Sequence, residues 1–245
     1  MPRPAAERRP RDTMTIVALI VAAGRGTRLG ASRPKPFVPL AGVPILARAV
    51  APFAAHPRIT RIVIVSADPA AAATLLGEAP RRFVFTLGGD RRQDSVRRGL
   101  QAMGEADLVL VHDAARPLVS RRIIDRVIEA ALVEGAAVPA IAVVDTVKRR
   151  APDGTVVATL SRDDLRLAQT PQGFRADLLR SAYARAEQER FPGTDDASLV
   201  ERAGGRVMLV EGSPRNLKIT TSADLVLAEA LLAAWEEDGD GAATS

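Results

Sequence analysis

An apolar run at positions 15–23 stops at a loop of glycines and cations, Gly24-Arg-Gly26-Thr-Arg-Leu-Gly30, followed closely by Arg33, Pro34 and Lys35. Glycine lets backbone N–H groups come close to phosphate oxygens, and a loop leaving a strand end aims those groups at one place. Arg28 and Lys35 add full charges where the backbone offers only dipoles. A dinucleotide fingerprint fits poorly, because the third glycine falls one place late and the fold needs an acidic residue about 20 positions on to hold a ribose. No Asp or Glu lies between Asp12 and Asp68, and that interval instead carries Arg25, Arg28, Arg33, Lys35, Arg48, Arg58 and Arg61. A P-loop is excluded by the absence of a Gly-Lys-Ser/Thr ending. A plain turn that needs glycine is the bland alternative. A polyphosphate cradle explains glycines and cations together, with a nucleoside triphosphate as the ligand.

Other residues narrow the chemistry by what is missing. The chain has no cysteine, so thiolate nucleophiles, disulfides and Cys-ligated zinc are excluded. There are two histidines, His56 and His112, and nothing in the sequence advertises a Ser-His-Asp relay. The net charge of +5 invites a nucleic-acid partner, but the cations are scattered and aromatics make up only 3%. Base-stacking surfaces need aromatics, so an anionic small substrate explains the charge at least as well.

The elements that must carry these residues alternate. Short apolar runs at 16–22, 62–66, 83–87, 108–112 and 137–141 predict strands, with helices between them at 44–55, 69–77, 91–103 and 121–134. That order predicts an α/β fold, a Rossmann-like and mainly parallel sheet with helices on both faces, whose ligands sit beyond the carboxyl ends of the strands. After Ile141 the pattern breaks. Two extended runs around Ala-Pro-Asp-Gly predict a protruding β-hairpin arm at about 143–163. Helices at 176–190 and 222–235 and a short strand at 207–210 complete the chain, with Asp195 and Asp196 read as a helix start and, as the lesser alternative, as contacts to substrate hydroxyls. Residues 1–13, rich in Pro and Arg, are expected to be a disordered extension, 14–236 one domain, and 237–245 a disordered tail; either Met1 or Met14 could be the start. The basic start and apolar run also mimic a signal peptide, although a buried parallel strand accounts equally well for that run. No apolar run approaches the roughly 18 residues of a membrane span.

Taken together, "VAAGRGTRLG", "PK", "LGGDRRQDSV", "VHDAARP", "DTVK", "TPQ" and "NLKIT" resemble the 2-C-methyl-D-erythritol 4-phosphate cytidylyltransferase family of sugar nucleotidyltransferases. The motifs run in the family's order over 16–224. The resemblance implies a cytoplasmic transferase that joins CTP to the phosphate of methylerythritol phosphate and releases pyrophosphate. A phosphate nucleophile is already ionised and needs no base, so the task is to align two anions. By the resemblance, Arg28, Lys35 and Lys218 are catalytic and steady charge at the α-phosphate. Ala22, Ala23, Gly24 and Gly26 meet the triphosphate, and Gly88, Gly89, Asp90 and Ser95 read the base. Asp90 has a second reading, since Asp90-x-x-Gln93 has capping-box spacing. The family usually places glutamine after Pro-Lys, where this chain has Pro36.

Asp113, at a strand's carboxyl edge, is expected to face the triphosphate through Mg²⁺, which takes few protein ligands. Arg116 is expected to pair with Asp113 or with phosphate, and His112 to be a packing residue. Thr146 and Arg162 on the arm, which crosses to a second subunit in the family, are assigned to the methylerythritol phosphate, with Thr170 and Gln172 as weaker candidates for lining the same pocket. The expected partners are therefore CTP, methylerythritol phosphate and a second copy of the chain, with no nucleic acid and no membrane. Because the chain stops near residue 245, one activity is expected, without the cyclodiphosphate synthase domain found in some relatives. The nearest rival is a CTP-dependent transferase for another polyol phosphate such as ribitol 5-phosphate; a nucleotide-binding regulator without catalysis is the rival from another class.

Overall fold

A computed structural model describes residues 14–24, 33–77 and 82–237. The expectations for 1–13, for the loop residues Gly26 and Arg28 and for the tail beyond 237 therefore lie outside the described residues. Strands β1 (Ile16–Ala22), β4 (Ile59–Ser66), β5 (Phe83–Leu87) and β6 (Leu108–Asp113) form a parallel block in the order β5-β4-β1-β6. Two short strands, β2 (Pro39–Leu40) and β3 (Val43–Pro44), make a separate ribbon after β1. Both sides of the parallel block are covered, which is why β1 reads as a continuous apolar run rather than an alternating one. Its residues Ile16, Ala18 and Ile20 pack against helices α1 (Ile45–Ala54), α2 (Pro69–Leu76) and α4 (Arg121–Glu134). Val17 and Leu19 face helices α3 (Arg92–Ala102), α5 (Ala176–Gln188) and α6 (Asp196–Arg202) on the other side.

β7 (Ala136–Ala142) extends the sheet beyond β6. Ala137 pairs with both Gly173 and Met208, and Ala140 with both Ala168 and Glu211. β12 (Met208–Glu211) therefore lies on one edge of β7, while β10 (Arg166–Ala168) and β11 (Gln172–Arg175) share the other as one interrupted antiparallel run. This run was not legible in the sequence, which reads as one mainly parallel sheet. On it, residues 169–172 oppose only 138–139, so the chain bulges there. The bulge carries Gln169 and Thr170 to the carboxyl end of β6. The expected hairpin is present as β8 (Val147–Arg150) paired with β9 (Val156–Leu160) and separate from the main sheet. Its turn is closed by the Gly154 amide on the Ala151 carbonyl and by Asp153, which accepts from the Thr155 amide.

Helix α7 (Ser222–Glu237) closes a third cluster with Val38, Leu40, Ile45, Leu118 and Ile219. Its start is set by reciprocal bonds: Asp224 accepts from the Thr221 amide at 2.8 Å, and Thr221 Oγ1 accepts from the Asp224 amide at 3.3 Å. Among the described residues no helix is long and apolar enough to cross a membrane.

Candidate active site

The strand order places β1 between β4 on one side and β6 on the other. The chain therefore leaves β1 in one direction for α1 and β4, and returns through α3 to β6 on the opposite side. That reversal opens a crevice beyond the carboxyl ends of β1 and β6. A cavity of about 400 Å³ lies there, a size that suits a nucleotide. Its walls are Ala22, Ala23 and Gly24 from the end of β1, Gly89 to Arg92 and Ser95 from the start of α3, Asp113 from β6, and Lys35, Lys218 and Thr220. Among the described residues four cations line it against two carboxylates, which favours an anionic guest. Among the described residues a Cβ at Gly24 would meet nothing within 4 Å.

On the α3 side the backbone is packed closely. A Cβ on Gly88 would fall 2.2 Å from that of Ala23, so any larger residue would push the two loops apart. Ser95 accepts from the Gly89 amide at 3.0 Å, and Arg98 donates to the Gly88 carbonyl at 2.6 Å. These contacts fix the glycine turn from beneath. The capping-box reading of Asp90 is not realised. α3 begins at Arg92 with Arg91 in the N-cap position and no side-chain cap. Gln93 instead reaches the Gly193 amide and the Phe191 carbonyl, because its side chain lies toward α5 rather than back along α3. Asp90 is exposed at the cavity mouth.

Asp113 is the hinge of the electrostatics. Its Oδ1 accepts from Arg92 Nε at 2.9 Å and its Oδ2 from Lys218 Nζ at 2.7 Å. Burial alone would raise its carboxyl pKa, but the Arg92 and Lys218 charges outweigh burial and hold it below the usual carboxylate range. Arg92 also donates to Asp196 Oδ2 at 2.8 Å. Burial works against the Arg92 charge, yet the two carboxylates raise its pKa overall. Arg116 does not pair with Asp113, one of its two expected partners, the other being phosphate. Its guanidinium turns to the Asn216 carbonyl at 2.7 Å, where it braces the segment that carries Lys218. Thr170 does not line the cavity either. It is buried in the bulge behind β6, and its hydroxyl accepts from the Asp113 amide at 3.1 Å.

His112 is a packing residue, as expected. No part of it is exposed, its ring lies 4.9 Å from that of Phe53, and its Nε2 sits 3.1 Å from the Arg116 carbonyl. Nε2 therefore donates, and Nδ1 accepts from the Thr170 hydroxyl at 3.0 Å. Burial lowers its pKa from 6.5 to about 4. The unfolded chain thus takes up a proton below about pH 6.5 that the folded chain refuses until about pH 4. His112 consequently makes stability fall as pH falls across that window, by roughly 3 kcal/mol. Denaturant midpoints at pH 7 and 4.5 check this. The decline should be markedly shallower in His112→Gln, and equal declines in the two proteins would contradict it.

Lys35 opens a short 3-10 turn, Lys35–Phe37, and donates to the Ile219 carbonyl. The Ile219 amide in turn bonds the Ala115 carbonyl at 2.8 Å. Lys35 and Lys218 are thereby drawn to one wall from opposite ends of the chain. Pro36 is buried in the same turn and lines the cavity, where its ring offers no amide group. Thr146 and Arg162 sit on the arm and do not line the cavity of this chain; Arg162 donates to the Val144 carbonyl. Gln172 is occupied with the start of α6, donating to Asp195 and accepting from the Ala197 amide.

Among the described residues no three His, Cys, Asp or Glu side chains cluster to hold a metal ion. The carboxylates among the described cavity residues are Asp90 and Asp113. Mg²⁺ keeps several waters and takes only one or two carboxylates beside substrate phosphates. That donor set fits an ion brought in with a triphosphate rather than one caged by protein. The sequence reading missed Arg92 and Asp196. Arg92 stands inside the quoted motif LGGDRRQDSV, whereas Asp196 was read with Asp195 mainly as a helix start.

Residues 16–234 match the family described as 2-C-methyl-D-erythritol 4-phosphate cytidylyltransferase. A protein of that name from Syntrophotalea carbinolica is 46% identical over 226 residues, covering 89% of this chain and 97% of its own. A bifunctional enzyme IspD/IspF from Rhodopseudomonas palustris is 48% identical over 223 residues, covering 89% of this chain and 55% of that protein. Among solved structures, 2-C-methyl-D-erythritol 4-phosphate cytidylyltransferase from Thermus thermophilus has a TM-score of 0.74 at 39% identity, covering 88% of this chain and 98% of its own. The 4-diphosphocytidyl-2C-methyl-D-erythritol synthase from Anaerococcus prevotii has a TM-score of 0.80 at 30% identity, covering 90% and 99%. With a family match along almost all of its described length and a relative 46% identical over 89% of the chain, this chain belongs to the 2-C-methyl-D-erythritol 4-phosphate cytidylyltransferase family.

Proposed function

We propose that the cavity at the ends of β1 and β6 is where this cytidylyltransferase joins CTP to 2-C-methyl-D-erythritol 4-phosphate, a step of isoprenoid precursor synthesis. A phosphate oxygen of the sugar alcohol attacks the α-phosphorus of CTP in line. The new P–O bond forms as the bond to the bridging oxygen breaks, and pyrophosphate leaves with that electron pair. No proton has to be removed from the nucleophile. Consistent with this, the nearby imidazole, His112, is buried, neutral and already hydrogen-bonded on both nitrogens.

The residues divide the work by position. Ala22 to Gly24 offer backbone to the triphosphate, and Lys35 and Lys218 bring charge to the same cavity. Arg28, in the loop between them, is assigned to the same task by its motif. The turn at Gly88 and Gly89, with Asp90 and Ser95, reads the cytosine, and its close packing on Ala23 favours a small base. When bound with the triphosphate, Mg²⁺ would neutralise further charge, with Asp113 as its protein ligand. The observation that carries the reading is the convergence of Lys35, Arg92, Asp113 and Lys218 on the one cavity that Gly24 also lines. Pyrophosphate release from CTP should be rapid with methylerythritol phosphate and negligible with ribitol 5-phosphate; the reverse preference would move the assignment to the other polyol.

The methylerythritol end of the site is completed by a second copy of the chain in a cytoplasmic homodimer. An isolated two-stranded arm is marginal in water. This one exposes Val144, Val156, Val157 and Leu160, which a partner would cover. Thr146 and Arg162 then reach the partner's cavity rather than their own, and Arg116 and Thr170 shape the floor from behind. Arg162→Ala should raise KM for methylerythritol phosphate roughly tenfold or more and KM for CTP far less, since a charge-assisted bond to phosphate is lost. Equal rises in both KM values, read from paired steady-state titrations, would remove the assignment.

A further inference from the structure

We propose that Asp196 is a positioning residue for this reaction, acting through Arg92 on Asp113 and through Asp113 on the Lys218 ammonium. The inference rests on the assignment of Lys218 to the α-phosphate. Asp196 does not reach the cavity, and none of it is exposed. Its place at the start of α6 does not explain it, because Asp195 is the N-cap and accepts from the Ser198 amide at 2.9 Å. Gln172 pins that helix start to β11 without help from Asp196.

The contacts of Asp196 lead in one direction. Oδ1 accepts from the Tyr183 hydroxyl at 2.5 Å, and Oδ2 from Arg92 Nη2 at 2.8 Å. Burial and the Asp196 charge push the Tyr183 phenol up, so it stays a donor. Arg92 is planar, and its two carboxylate partners hold two edges of that plane. Its Nε fixes Asp113 Oδ1, which leaves Oδ2 turned to Lys218 Nζ. A chain of four hydrogen bonds thus runs from Tyr183 through Asp196, Arg92 and Asp113 to Lys218. A buried ion pair is weak evidence for stability in its own right. Without the Asp196 charge, Arg92 is free to swing toward the phosphates or wholly onto Asp113, and Lys218 loses its fixed acceptor.

A double-mutant cycle in the full-length protein tests this, with kcat, KM for CTP and thermal unfolding read for Asp196→Asn, Lys218→Ala and the pair. Asparagine keeps the volume and one acceptor. Asp196→Asn should lower kcat about tenfold with KM for CTP within about threefold, because it disturbs a transition-state contact rather than ground-state binding. In the Lys218→Ala background the same change should cost less than about threefold, since only the Asp113 carboxylate then remains at the end of the chain. Equal losses in both backgrounds mark a merely structural role and overturn the inference. So does an unchanged kcat in Asp196→Asn, which leaves the Lys218 assignment standing. Wild-type turnover in Lys218→Ala overturns that assignment and the inference with it. Should Asp196→Asn fail to fold, Tyr183→Phe removes only one hydroxyl and enters the same cycle, with an expected loss of about threefold and the same dependence on Lys218.

Discussion

Lys218→Ala lowers kcat by roughly 10²–10³-fold, the range seen when one donor aimed at developing charge is removed, while the thermal midpoint barely moves. The two halves of that expectation have separate causes. The Lys218 side chain is 43% exposed and makes one ion pair, at 2.7 Å, with Asp113 Oδ2. Its loss leaves Asp113 still bonded to Arg92, so little folding energy goes with it. The ammonium nevertheless lines the same cavity as Gly24, where the proposed reaction would build charge as the pyrophosphate bond breaks. The expected signature is a fall in kcat with a smaller change in KM for CTP, because the contact strengthens only in the transition state. Pyrophosphate release by purified mutant and wild type, beside their melting curves, decides it. Equal turnover would refute the role, and a collapsed fold would show that the lysine is structural.

Asp113→Asn should be costly on both counts. Here the missing charge is buried between two cations, and breaking a buried pair costs about 3–5 kcal/mol. The lower end applies, about 3 kcal/mol, because Arg92 keeps Asp196 and the half-exposed Lys218 can turn to water. Turnover should fall below about one hundredth, since Lys218 loses its fixed partner and any magnesium its carboxylate. The pH of the comparison matters. The folded pKa of Asp113 lies below its unfolded value, so its contribution is complete above about pH 4 and is lost only at lower pH. Urea unfolding at pH 7.5 therefore reads the full term. A difference under about 1 kcal/mol there would mean that the carboxylate is better solvated than its burial implies.

The parallel core was readable because its physics is local. β1 at 16–22 and α4 at 121–134 fall where the apolar pattern placed them, and the hairpin turn follows from Pro-Asp-Gly chemistry. The run of β10 and β11 was not readable. It is short, broken by a bulge, and built from the brief stretches Arg-Leu-Ala and Gln-Gly-Phe-Arg, whose place in the sheet is set by pairing with β7 and, for β11, with β6 as well. The site shows the same division. Gly24, Lys35, Gly88 and Lys218 could be picked out through motifs, but what they bond to could not. Arg92, Asp113 and Asp196 come from α3, β6 and α6 and meet only after folding. Asp113 and phosphate were the two partners expected for Arg116 from the sequence. In the folded chain its backbone position turns the guanidinium toward Asn216 instead.

One placement underlies every role assigned here, a triphosphate held between the end of β1 and the wall that carries Lys35 and Lys218. A crystal structure of the protein with CTP and Mg²⁺ measures it directly. The expected result is cytosine against Gly88, Gly89 and Ser95 and the α-phosphate between Gly24 and Lys218. CTP bound anywhere else on the molecule, with this cavity left to solvent, would contradict it.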